Sequence, residues 1–274
     1  FFVRMMKIYL LWSAVYISLS FAVNVLLNGE NAGEAVLGYV KNFFFVGSYW
    51  HLWYMVGLIY ALCLTALFYK IAKERGLQIL LGISIVFFVF GALCYAYTPL
   101  MERITWLRPY LDASWFSSFS EILCLGIPCF IWGYAVVLFQ QKNAMNPKRD
   151  GRLLILSLIL YTVEFWSIVG LTGNTHIRSL LSTHFVTFFL MLVLLEHPAS
   201  TWEKQGLLCK DYSTYLYLAH PLFIAILSAG QDMIGIQQPA ALYVLEVLAF
   251  TLFSRVVLQW CRQFRVRRRG TNEK

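Results

Sequence analysis

Residues 49–54, Tyr49-Trp50-His51-Leu52-Trp53-Tyr54, lead straight into an apolar run from Met55 to Tyr69. At 1.5 Å of rise per residue, that run forms about five turns of helix with its aromatic entry and nearly crosses a bilayer core. Tryptophan and tyrosine favour the headgroup layer, where a ring is half wet and half apolar. The stretch therefore reads as an aromatic belt opening a membrane helix. His51 adds a proton-transfer group to that belt, and helical spacing puts Tyr54 on its face at i+3.

The rest of the chain agrees with a membrane reading. Of its 274 residues 59% are hydrophobic, 17% aromatic and only 13% charged, with a mean hydropathy of +0.65. Water-soluble domains carry about 25% charged residues. Eight apolar runs are long enough for spans, at 8–28, 51–71, 77–98, 119–140, 153–171, 179–196, 213–229 and 240–261. They lack the period-2 alternation of barrel strands, so the spanning elements are helices. The expected fold is all-α: a polytopic transmembrane bundle over residues 1–261 with a basic tail at 262–274. The chain opens at Phe1 without a signal peptide and reads as the continuation of a preceding segment.

Lysine and arginine orient the bundle. Segments holding Arg4 and Lys7, Lys70 to Arg75, Lys142 to Arg152, Lys204 and Lys210, and Arg262 to Lys274 contain seventeen of them. The alternate segments hold four: Lys41, Arg103, Arg108 and Arg178. Both termini are therefore expected in the cytoplasm, in the cell membrane. The net charge of +8 sits between apolar runs, which argues for topology signals and against a nucleic-acid partner. The basic run 262–269 suits anionic lipid. Six scattered cysteines form no C-x-x-C pair and no zinc spacing, so packing is their expected role and no metal is expected. Two outer connections are long. In 29–50 the stretch 33–46 is expected to lie along the interface as a short helix, and 99–118 suits a lid or docking surface.

Ionisable residues at bilayer depth usually face a bundle interior. Here they are Glu121, Glu164, His184, His220, Glu246 and Arg255. Glu121, His184 and Glu246 fall level with His51 and are expected to converge on an outward-opening cavity. Each also has a structural reading: a helix-dipole partner for Glu121, an interhelical hydrogen bond for His184, an ion pair for Glu246 and snorkelling for Arg255. Glu164 lies mid-span, three residues after Tyr161. His220 precedes Pro221, which frees the carbonyl of Tyr217, and Tyr217 shares the His220 face at i+3. No G-x-S-x-G, Walker loop, H-E-x-x-H or dinucleotide turn occurs, which excludes those soluble catalytic architectures.

Three motifs together, Phe2-Val-Arg4-Met-Met-Lys7-Ile-Tyr9-Leu-Leu-Trp12, Trp50-His51-Leu52-Trp53-Tyr54 and Tyr215-Leu-Tyr-Leu-Ala-His220-Pro221, resemble acyltransferase family three. These are polytopic membrane O-acyltransferases of cell-surface sugars and related acceptors. The resemblance implies two further helices before the eight read here, carrying the arginine and histidine central to catalysis in the family. Arg4 matches the first arginine of the family's Arg-x-x-Arg, and Lys7 replaces the second, supplying a cation without a bidentate fork. It implies transfer of an acetyl group from cytoplasmic acetyl-CoA, with Arg4 and Lys7 on its phosphates, to a hydroxyl of a surface or lipid-linked glycan. His51, Glu164 and His220 are then the shaping or proton-relay groups. Membrane lipid is the surrounding partner, and a homo-oligomer is compatible with the sequence. The alternative is a proton-coupled transporter of a serine-like solute, a role in which the same fold also occurs.

Overall fold

The computed structural model describes residues 1–97, 119–143, 146–173, 177, 179–196, 203–235 and 239–271. The connection 99–118, with Arg103, Arg108 and Asp112, lies outside the described residues, as do Arg178 and Lys274. Among the described residues every element is helical, and six helices are long and apolar enough to cross a membrane. Each of the eight apolar runs lies largely on helix. The chain forms two compact units, Phe1–Pro198 and Ala199–Lys274.

In the first unit, α1 (Phe2–Phe21) continues as a π-helical turn at Ala22–Leu27. Its buried stripe is Tyr9, Ser13 and Tyr16, spaced four and three residues apart on one face. The expected short helix of the outer connection is α2 (Ala32–Phe45), which starts where the Asn31 side chain accepts the N–H groups of Gly33 and Glu34. A helix end leaves carbonyls without intrahelical donors. Two tyrosines from other helices supply them: Tyr9 donates to the Phe43 carbonyl at 2.5 Å and Tyr60 to that of Phe44 at 2.6 Å. Val36, Leu37 and Val40 stay exposed on α2, as an interfacial helix requires.

Helix α3 (Trp53–Tyr95) is broken at Ala72 and Lys73, where Lys73 takes a φ of 49°. The break is a reversal. A Cβ on Gly76 would lie 2.1 Å from the Phe68 carbonyl oxygen, eight residues earlier, a contact no continuous helix makes. The arms 53–71 and 74–95 therefore run back along each other, and α4 (Phe119–Lys142) packs on both. Gly57 on one arm meets Gly126 of α4, and Gly91 on the other meets Cys124, so residues 57 and 91 lie at one level. Absent side chains let these backbones approach closely. At the opposite end, Tyr134 of α4 donates to Glu74 beside the reversal, at 2.7 Å. Helix α5 (Pro147–Thr172) opens with Asn146 as its cap and Pro147 in its first turn, and ends at Gly173 with a left-handed φ of 68°. Helix α6 (Ser182–Glu196) follows and packs on α5 and α4.

The second unit is a helix pair. Helix α7 (Glu203–Ile234) holds Pro221 inside it, and α8 (Ala240–Thr271) packs along it. Helix α8 runs through the basic stretch 262–269 that was expected as a tail, because nothing in that stretch breaks a helix before Gly270.

Candidate functional site

The belt histidine is not on a helix. Gly47 has a φ of 98°, and its backbone packs against Leu52 and Trp53. That tight turn delays the start of α3 to Trp53, leaving His51 in the turn before it. There a cage of rings surrounds it. The His51 imidazole is 4% exposed, with the rings of Tyr16, Trp50 and Tyr49 at 5.0, 5.5 and 5.7 Å. Tyr16 in turn stacks on Tyr49 at 4.5 Å, and Ser48 donates to Ser13 of α1 at 2.7 Å. The turn is thus fastened to the buried stripe of α1. Trp50 keeps the belt character, with 61% of its surface exposed.

Arg4 and Lys7 are exposed on the first turns of α1. At about 100° per residue they fall on the side of α1 opposite Tyr9, Ser13 and Tyr16. Helix α1 therefore stands between the two cations and the His51 cage. Along its axis, Arg4 and Tyr16 are about 18 Å apart at 1.5 Å per residue, closer than the full thickness of a bilayer expected between donor mouth and His51.

Glu164 is held by four hydrogen bonds. It accepts from the Tyr97 hydroxyl at 2.5 Å, from the backbone N–H groups of Leu181 and Ser182 at 2.8 Å each, and from the Ser182 hydroxyl. The first N–H groups of a helix have no intrahelical acceptor, so this carboxylate closes the start of α6 from a neighbouring helix. It also explains why α6 begins at Ser182 and not at 179. Residues 177, 179 and 180 are non-helical, and Ile177 and Leu180 pack on Phe165, Ile168 and Ala96. Backbone of that kind is tolerated at membrane depth only where protein covers it and satisfies its polar groups.

His184 is reached two residues later and is 7% exposed. Its ring lies 3.5 Å from that of Phe88 and 5.2 Å from Trp132, whose indole N–H donates to the His184 carbonyl at 2.9 Å. The rings described around His184 belong to the 74–95 arm and α4, and those around His51 to α1 and the Gly47 turn. Glu121 lies in the first turn of α4, beside Ser120, which is hydrogen-bonded to Tyr95.

In the second unit, His220 lines a largely apolar cavity of about 380 Å³ with Ser213, Tyr217 and Tyr243. Its Nδ1 is 2.9 Å from the Leu216 carbonyl. A carbonyl only accepts, so Nδ1 donates in this hydrogen bond. Pro221 follows and has no N–H for Tyr217, as expected. Arg255 does not snorkel freely: its guanidinium sits over the rings of Tyr212 and Tyr215, at 5.9 and 5.4 Å. Neither the Glu164 clamp nor the ring cage was readable beforehand. The available signal was a histidine or carboxylate within an apolar run, which marks a buried polar contact without naming its partners.

Among the described residues no three His, Cys, Asp or Glu side chains group as metal ligands. No curated protein and no solved structure matches the chain. The family model that does match is an acyltransferase domain, and it covers residues 1–260. Several apolar helices, a buried belt histidine and a helix carrying His220-Pro221 are thus parts of one recognisable domain, and the chain belongs to acyltransferase family 3, as a multi-pass membrane acyltransferase.

Proposed function

We propose that this enzyme moves an acetyl group from acetyl-CoA on the cytoplasmic side to a hydroxyl of a cell-surface or lipid-linked glycan. The observation that carries the reading is the exposed face of α1. Arg4 and Lys7 begin it, and Leu11, Ala14 and Ser18 continue it at alternating spacings of three and four, all exposed. Two cations in successive turns suit the phosphates of CoA. Above them the stripe is narrow and mostly apolar, which suits the extended arm that carries the thioester.

The reaction needs the acceptor oxygen to attack the thioester carbonyl carbon. A C–O bond forms, the C–S bond breaks, and CoA leaves as a thiolate that regains the proton taken from the hydroxyl. A base near neutral pH removes that proton, and imidazole suits the task. His51 shapes the outer end of α1 in this scheme, and His220 is a shaping or proton-relay group in its own cavity. Glu164 acts at one remove, by holding the start of α6. The imbalance of seventeen Lys and Arg against four supports an inner placement of Arg4 and of both termini.

Titration of acetyl-CoA onto the membrane-embedded protein tests the donor end. Each charge-assisted contact to phosphate is worth roughly 1.5–3 kcal/mol, so Arg4→Ala with Lys7→Ala is expected to weaken binding by at least about tenfold. Lys7→Arg is expected to hold or tighten it, since a fork replaces a point charge. Unchanged affinity in the double variant overturns the donor assignment.

A further inference from the structure

The 74–95 arm, α4 and the start of α6 enclose a cavity of about 270 Å³ that no step above uses. Phe88, Pro128, Trp132 and Leu181 make its walls apolar. Two polar side chains also line it, Ser84 at 2% exposure and His184 at 7%. The Ser84 hydroxyl and both ring nitrogens of His184 are buried and meet no hydrogen-bond partner among the described residues. Native folds seldom leave such groups unmet, and each calls for a partner. At the mouth, Ile85, Val89 and Phe185 are 41%, 40% and 49% exposed. They sit on helices of the transmembrane bundle, so the mouth opens sideways toward lipid chains.

The polar pair is held rigidly. Glu164 fixes Leu181 and Ser182 directly before His184, Phe88 lies against the imidazole ring, and Trp132 binds the His184 carbonyl. An oriented polar group in an otherwise apolar slot is the usual form of a ligand site.

We infer that this cavity is a lateral binding site for a membrane-dissolved aliphatic alcohol, a single chain ending in one hydroxyl. A neutral imidazole presents one N–H and one lone pair, and Ser84 presents a donor and acceptors. A hydroxyl donates to the bare ring nitrogen and accepts from Ser84. An ester carbonyl only accepts, so it can serve Ser84 or the ring N–H but never the ring lone pair, whereas a hydroxyl can serve any of the three. A carboxylate would enter without a cation, since no Lys or Arg lines the cavity. The volume is at the small end for ligand pockets, so it takes the hydroxyl and the first part of the chain, and the remainder leaves between Ile85 and Phe185 into lipid. The inference is independent of the donor site at Arg4 and stands or falls without it.

Photolabelling tests it. The full chain in phosphatidylcholine vesicles is irradiated with a saturated medium-chain 1-alkanol bearing a mid-chain diazirine, and with the matching alkane and carboxylic acid. Labelled peptides are mapped by mass spectrometry. The alcohol is expected to label residues 84–89 and 184–185, and the alkane and acid far less. His184→Leu keeps the ring's bulk and apolarity, and is expected to cut alcohol labelling about tenfold, the effect of one lost buried hydrogen bond. Ser84→Ala removes a single oxygen and is expected to cut it as well. Equal labelling of the unmodified protein by alcohol and alkane overturns the inference without any variant. Absence of label at these peptides also overturns it, leaving buried water as the partner of the pair.

Discussion

A carboxylate inside a helical bundle is stable only beside donors, and the donors at Glu164 belong to two separate stretches of chain, Tyr97 and Leu181–Ser182. Replacing it with alanine leaves two backbone N–H groups and two hydroxyls to find other acceptors. An unmet buried donor costs about 1–3 kcal/mol. With partial exposure and some relaxation, Glu164→Ala is expected to lose roughly 2–4 kcal/mol of stability, read as a lowered unfolding midpoint in detergent. Glu164→Gln keeps one acceptor oxygen and is expected to fall between the two. If the group positions α6, turnover per folded molecule survives in Glu164→Gln. A stable Glu164→Gln protein without turnover makes it a proton carrier instead. His51 calls for a different substitution, because Tyr16, Tyr49 and Trp50 pack around its ring. His51→Phe keeps a ring in the cage and removes both nitrogens. It is expected to lower acyl transfer while leaving acetyl-CoA affinity unchanged, because Arg4 and Lys7 lie across α1 from the cage. Full activity in a stable His51→Phe protein reduces His51 to a packing residue.

The hairpin of α3 rests on one glycine. A Cβ at Gly76 would meet the Phe68 carbonyl oxygen at 2.1 Å, and that oxygen is backbone and cannot swing away. Gly76→Ala is expected to abolish the folded protein or lower its unfolding midpoint steeply. Gly82→Ala on the same arm is the control, since nothing lies within 4 Å of its Cβ position. Removing a glycine from an exposed helix interior stabilises by roughly 0.5–1 kcal/mol. The two arms themselves were legible, because a polar group from Lys70 to Arg75 separates two apolar runs. The tightness of the reversal was not, because a turn with only two non-helical residues depends on Gly76 clearing one carbonyl in space. Helix α2 was legible through its apolar residues, while the Asn31 cap that starts it was not singled out. The site was less so. Tyr97, Leu181 and Ser182 reach Glu164 from 67, 17 and 18 residues away in sequence. Periodicity within one helix carries no information about such partners. The start of α3 at Trp53, two residues after His51, was not legible either, because it depends on the turn that Gly47 closes.

At the scale of the molecule, the distribution of charge carries a claim about which side of the membrane each end meets. Within the first unit the geometry is consistent with it. The reversal at Ala72 and Lys73 lies at the same end as the last turns of α4, through Tyr134 and Glu74. Lys70, Lys73, Arg75 and Lys142 therefore gather at one end of the unit. Gly57, Gly91 and Gly126 lie toward the other, with the Gly47 turn and the His51 cage. Tyr16 of α1 touches that cage, and Arg4 lies about 18 Å from it along the helix, so Arg4 is expected at the basic end. Lysine and arginine are retained on the cytoplasmic side during insertion, so this end is expected inside. Single cysteines at Asn42 and Asn146, both exposed, read the two ends directly. Cys63, Cys129 and Cys209 are also exposed, so the measurement starts from a variant with the native thiols changed to serine. Asn146→Cys removes the α5 cap, at a cost of about 1 kcal/mol that a folded bundle tolerates. An impermeant maleimide added to intact cells is expected to label Asn42→Cys and to reach Asn146→Cys only after the membrane is opened. Labelling of Asn146→Cys in intact cells, with none at Asn42→Cys, would reverse the insertion and leave Arg4 and Lys7 facing away from any cytoplasmic acyl donor.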